Sequence, residues 1–337
     1  MTFRWSRAAA PAVQVAAGAV PTLAELVALR ERAAERKVRR IGSAGAAPGS
    51  QHSRQLGRGL EFAEVRPYQR GDDVRSIDWR HTARRGRPCT KVFHDERDAP
   101  LLLLVDIGPS MRFGTRVAFK SVVASRAAAL LAWAAVDDGE RVGGIVCGAD
   151  GHHFVPTQRQ PRGAFALIRA LTAGHSEPPA SASVAATGRT TDLAAALRAL
   201  ARAANCGSHA VVLSDFRSLD AEARVELMRL AGRNPVTLVQ VFDAIEAEPP
   251  PAGLYRIADA HGERILDLRR QAARAAYGEA FRNRSATLAT LARRVGAALI
   301  PLATGDDPMR VLHAVADRSV IRGSTPTTSP QRLRVTR

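Results

Sequence analysis

Cysteine is scarce: Cys89, Cys147 and Cys206 stand far apart in 337 residues, with no CxxC spacing. That excludes a disulfide framework and a cysteine zinc site, and it fits a reducing cytoplasm. Long apolar runs are missing too. The longest, Ala127 to Val136, is closed by Arg126 and Asp137, well short of the roughly 20 residues a membrane helix needs. Ala8 to Val20 follows Arg4 and Arg7 as a secretory signal would, but it holds no Leu, Ile or Phe and is broken by Pro11, Gln14 and Gly18. A cytoplasmic protein with no membrane span is the expectation. No internal repeat is visible.

A hydrophobic content of 46% allows a large core. The net charge of +17 invites a nucleic-acid reading, since clustered arginines release counterions from phosphates. Residues 1–97 hold 19 of the 49 basic and 10 of the 32 acidic side chains, so about half the excess precedes the main body. Nearly all of it is arginine, and a solvated basic face accounts for it, so nucleic acid is not the expected partner.

Residues 1–50 read as a helix over 22–40, with Leu23, Leu26, Val27 and Leu29 on one side, followed by a Gly/Ala/Ser linker from Gly42 to Ser50. Residues 51–99 read as a small β-rich appendage, with alternating pieces at Glu61–Val65 and Thr90–Phe93. In residues 100–318 the run Leu101 to Val105 has strand length and ends in Asp106, as a strand buried on both faces should. A helix is expected over about 113–137, strands at 141–147, 153–157, 209–214, 236–242 and 299–302, and helices at 163–171, 192–204, 270–295 and 308–315. A hairpin turning near His261-Gly262 precedes the 270–295 helix. Alternation of this kind predicts an α/β fold with a doubly wound, mostly parallel sheet. Residues 319–337 read as a disordered basic tail.

In such a sheet ligands gather beyond the carboxyl ends of the strands. Three polar groups fall there: Asp106 with Ser110, Thr190-Thr191-Asp192, and Ser214-Asp215. Two carboxylates and short hydroxyls converging on one point suit a hard cation such as Mg²⁺. Without one, Asp106 and Asp215 would be buried like charges.

This layout resembles the metal-ion-dependent adhesion site of von Willebrand factor type A domains, whose first loop is DxSxS. Asp106 and Ser110 match its first and fifth positions, Thr191 the second loop's threonine and Asp215 the last carboxylate, while Gly108 replaces the middle serine. The resemblance implies a von Willebrand factor A-like, Rossmann-like domain with a degenerate metal site of Asp106, Ser110, Thr191 and Asp215. A second string, GRGLEFAEVRPYQRGDDVRSIDWRHTARRGRPCTKVFHDERD at 57–98, resembles the signature of the bacterial domain-of-unknown-function 58 (DUF58) family. This implies a non-catalytic module that partners a MoxR-type AAA+ ATPase in chaperone-like protein assembly or maturation. Within the string, Asp72, Asp73, Arg75, Asp78, Trp79 and Arg80 are expected to form an ion-pair and stacking cluster or a partner surface.

Two other classes compete. One is a nucleic-acid binder using the basic N-terminal region and tail. The other is a metal-dependent hydrolase with Asp106 as a haloacid-dehalogenase-type nucleophile, for which Gly108 supplies no acid. GTRVAFKS (114–121) looks like a phosphate loop, but Phe119 stands where a second glycine is needed.

Overall fold

The run Leu101–Val105 has no polar face to turn outward, and it becomes a central strand covered by apolar layers on both sides. The chain is described here by a computed structural model over residues 2–3, 18–43, 56–57, 61–68, 77–94, 100–148, 150–176, 191–259 and 262–316. In chain order the elements are β1 (Thr2–Phe3), α1 (Leu23–Ser43), β2 (Leu56–Gly57), β3 (Glu61–Pro67), α2 (Trp79–Arg85), β4 (Cys89–His94), β5 (Leu101–Asp106), α3 (Lys120–Asp137), β6 (Val142–Gly148), β7 (Gly151–Gln158) and α4 (Pro161–Ser176). They continue with α5 (Leu193–Ala203), β8 (His209–Ser214), α6 (Ala221–Ala231), β9 (Val236–Phe242), α7 (Ala244–Ala247), β10 (Leu254–Asp259), β11 (Gly262–Asp267), α8 (Gln271–Val295), β12 (Ala298–Ala303) and α9 (Met309–Ala316).

The chain divides into two compact units, residues 1–36 with 100–337, and residues 37–99. In the larger unit the central sheet has the order β12-β9-β8-β5-β6-β7, parallel except for the edge strand β7. Leu101, Leu103 and Val105 face a layer that includes α1, α3, α4 and α9, and Leu102 and Leu104 face α5, α6 and α8. Each fully buried leucine contributes about 1.5–3 kcal/mol. Helix α3 is buried almost all round, which is why its sequence has no polar stripe. Trp133 on α3 donates its ring N–H to the Leu26 carbonyl at 3.0 Å, tying α1 to this core. A small antiparallel sheet, β1-β10-β11, belongs to the same unit. No described helix is long and apolar enough to cross a membrane.

The smaller unit carries an antiparallel sheet in the order β2-β4-β3 and the short helix α2. Asp78 caps α2 by accepting from the Arg80 and His81 amides, and Gly86, at φ +68°, closes it in a left-handed turn.

Two expectations change. The helix expected from Phe113 begins only at Lys120, because residues 113–119 form a loop fixed by distant partners: Thr115 to Asp243, and the Phe119 amide to the Gly18 carbonyl. Helix α1 runs to Ser43, past Gly42 where the linker was expected to start. The remainder of that linker, the tail 319–337, Thr190, and Asp72, Asp73 and Arg75 lie outside the described residues.

Candidate functional site

The strand order turns back at β5: the chain builds outward through β6 and β7 on one side, then returns to start β8 on the other. Ligands in open α/β sheets sit at this switch point, beyond the strand ends. Asp106 ends β5, and Ser214 ends β8, in register with it, since Val105 pairs with Leu213.

Asp106 is 1% exposed. Its Oδ1 accepts from the Gly108 amide at 2.9 Å and the Thr191 hydroxyl at 3.1 Å, and its Oδ2 accepts from the Ser214 hydroxyl at 2.7 Å. The first of these bonds folds the chain back at the strand end, and Pro109 then opens the short 3-10 turn Pro109–Met111. Thr191 is buried just before α5, while its neighbour Asp192 caps that helix through the Ala195 amide. Asp106 and Thr191 therefore meet, and Asp215, next in the chain after Ser214, lies near enough for its charge to act on Asp106. Ser110 lies in the 3-10 turn after β5, partly exposed.

Sequence reasoning did not foresee the cation at this site. Lys120, the first residue of α3, is fully buried, and its Nζ donates to Asp215 Oδ2 at 2.7 Å and Glu246 Oε1 at 3.1 Å. The ammonium also lies 5.7 Å from the Phe113 ring centroid, a cation–π distance. Arg217 joins the cluster at Glu246 Oε1, 2.8 Å away, with its Nε 3.7 Å from Asp215 Oδ2. Glu246 also accepts the Asp243 amide, and Asp243 in turn accepts from Thr115 and Thr304. One polar chain therefore runs along the strand ends from β5 to β12. Between Asp215 and Arg217, Phe216 takes a left-handed φ of +54°; a bulky residue there stores strain of about 1–3 kcal/mol, the kind that gathers at functional sites.

The electrostatics follow from these contacts. Burial, then the nearby Asp215 charge, pushes the Asp106 carboxyl up to about 6, against the hydrogen bonds it receives. Burial also pushes Asp215 up, but the Lys120 charge and hydrogen bond outweigh it and hold that carboxyl below the usual range. Burial raises the neighbouring Cys147 thiol, helped by Asp106.

The donor set falls short of the magnesium site that the resemblance implies. Position 108 brings no ligand and has no room for one: a β-carbon there would stand 1.8 Å from Thr191 Oγ1 and 3.1 Å from Asp106 Oδ1. Asp215 is held by an ammonium, and each Asp106 oxygen accepts a protein donor. Among the described residues, no group of three or more His, Cys, Asp and Glu side chains is placed to hold a metal ion.

Of the six residues singled out in the smaller unit, Asp78 serves as a helix cap, Trp79 is 68% exposed and Arg80 is exposed.

Together these features define a mixed α/β protein with a mostly parallel central sheet and a carboxylate cluster at its switch point. Residues 64–287 match the family described as "Protein of unknown function DUF58", and the chain belongs to that family. Uncharacterized proteins of Mycobacterium bovis and Mycobacterium tuberculosis are 31% identical over 264 residues, covering 78% of this chain and 80% of theirs. Among solved structures, the conserved hypothetical protein BatB from Bacteroides thetaiotaomicron aligns at a TM-score of 0.38 and 16% identity, over 66% of this chain and 98% of that one.

Proposed function

We propose that this chain is a non-catalytic protein-binding module of the von Willebrand factor type A kind, whose rim at the β5/β8 switch point engages another protein. The carrying observation is the convergence of Asp106 and Asp215 from two strand ends with Thr191 from the segment that opens α5. A parallel sheet with one antiparallel edge strand, turning back at its first strand, also favours this reading. Against catalysis stand the burial of Asp106 and the protein donors on both its oxygens: a nucleophilic carboxylate needs an exposed oxygen and an acid near the leaving group. The partner class, a MoxR-type AAA+ ATPase, rests on the family resemblance of the 57–98 string, and with it the role in chaperone-like assembly or maturation.

The test is affinity capture of the full-length chain from its native cell, followed by reconstitution with the purified ATPase. The expected result is a stoichiometric complex with a MoxR-type ATPase. Recovery of no such ATPase above an untagged control, with no binding by the purified pair, removes the partner assignment.

A further inference from the structure

Lys120 is an unusual residue for its place. A cation in the first turn of a helix opposes the helix dipole, and a fully buried ammonium persists only when charges and hydrogen bonds compensate it. Both conditions are met by carboxylates far away in sequence, Asp215 and Glu246, at 2.7 and 3.1 Å. Lysine occurs elsewhere in the chain only at positions 37 and 91, every other basic residue being arginine. The compact ammonium fits a pocket that a planar guanidinium would not.

The charges close around that ammonium. Asp215 and Glu246 face Lys120 and Arg217, Asp106 lies near enough for its charge to act on Asp215, and the two cations together carry the charge of one divalent ion. Their positions differ, however. Lys120 is sealed, while the Arg217 side chain is 36% exposed, with its guanidinium braced against Glu246 and Asp215.

We propose that Lys120 takes the place of the divalent cation at this switch point, and that Arg217 is the cation the rim offers to a carboxylate on the partner protein. The recognition is then a guanidinium–carboxylate pair at a pre-positioned arginine, with no metal bridge. Its partner half rests on the protein-binding reading above; its metal half stands on this chain alone.

The metal half is tested with Mn²⁺ as the probe, titrated into the full-length wild-type chain and followed by loss of the free-ion EPR signal. The expected result is no site tighter than about 1 mM, the weak end of all-oxygen sites. A tighter site that Asp106→Asn abolishes overturns the substitution of Lys120 for metal, and this measurement needs no destabilised variant. In Lys120→Ala the emptied pocket leaves Asp215 and Glu246 with Arg217 as their one remaining cation, so Mn²⁺ should raise the melting temperature of this variant and leave the wild type unmoved. A folded Lys120→Ala chain that takes up no more Mn²⁺ than wild type also counts against it. For the partner half, Arg217→Glu should weaken the reconstituted complex by at least about tenfold, with Arg217→Lys losing less. Unchanged affinity in Arg217→Glu overturns this assignment even where the complex itself forms.

Discussion

Thr191 Oγ1 occupies the space that a side chain on Gly108 would need: a β-carbon at residue 108 would fall 1.8 Å from that hydroxyl. Gly108 has an ordinary extended backbone, φ −65° and ψ −177°, so space rather than conformation selects glycine. Restoring the serine of the DxSxS pattern should therefore not restore a site. Gly108→Ser is expected to destabilise the fold by about 1–3 kcal/mol through overpacking, and Thr191→Ala added to it should recover part of that loss. Urea denaturation of the single and double variants decides; a Gly108→Ser chain as stable as wild type would show that Thr191 yields freely.

Removing one partner of a buried ion pair costs more than the pair contributes, because the other charge is left alone. Lys120→Met should thus cost about 3–5 kcal/mol. Asp215→Asn in that background should restore part of the loss, since the remaining carboxylate, Glu246, is still paired with Arg217. The coupling energy of the four-chain cycle is the readout; strictly additive losses would mean that the 2.7 Å contact between Lys120 and Asp215 contributes nothing.

Much of this fold is written locally. Leu101–Asp106, His209–Ser214 and Val236–Phe242 are apolar runs with strand length, and the structure keeps those bounds. Asp106 and Asp215 were legible because short polar residues directly follow such runs, and Thr191 because it opens a helix beside the cap Asp192. The start of α3 was not: Phe113, Val117 and Ala118 carry helical spacing, and bonds to distant residues, from Thr115 to Asp243, 128 residues away, and from the Phe119 amide to the Gly18 carbonyl, hold them in a loop. Helix α6 escaped notice because Glu222, Arg224, Glu226 and Arg229 mask its apolar face, although Asp220 marked its start as a cap. Lys120 drew notice only within a phosphate-loop-like string that Phe119 rules out, and its true role was hidden because its carboxylates lie 95 and 126 residues further on.

Acid–base behaviour separates the two central carboxylates. Asp106 is raised from 3.8 to about 6 by burial and then by Asp215. It keeps its proton in the folded chain where the unfolded chain has lost it. Its contribution to stability is full below 3.8 and is lost as pH rises through about 6. Asp215 is lowered, so its contribution is present above 3.8 and is lost as pH falls through its folded value. Asp106→Asn should flatten the stability curve between these two limits and leave the acid limb alone. Burial lowers His175 from 6.5 and adds an opposite slope, but this is common to both chains, so the difference curve carries the test. Equal slopes in wild type and Asp106→Asn would show that Asp106 does not titrate there.

An amide should be tolerated at Asp106 and not at Asp243, although both carboxylates are buried and both oxygens of each accept a hydrogen bond. Asp106 Oδ2 meets only the Ser214 hydroxyl, which can turn round and accept from an amide N–H. At Asp243, Oδ1 accepts from the Thr115 hydroxyl at 2.7 Å and the Ile245 amide at 3.1 Å, and Oδ2 accepts from the Thr304 hydroxyl at 2.7 Å and the Thr115 amide at 3.0 Å. Whichever way an asparagine sits there, its NH₂ faces a backbone N–H that cannot reverse. Asp243→Asn should therefore cost about 1–3 kcal/mol, the desolvation of one orphaned buried donor. The loss should be local as well as global, since Thr115 anchors the loop that delivers Lys120. Hydrogen exchange at the Thr115 amide should accelerate more than the fall in overall stability explains. An Asp243→Asn chain no less stable than Asp106→Asn, with Thr115 still protected, would show that this clamp does not position the lysine.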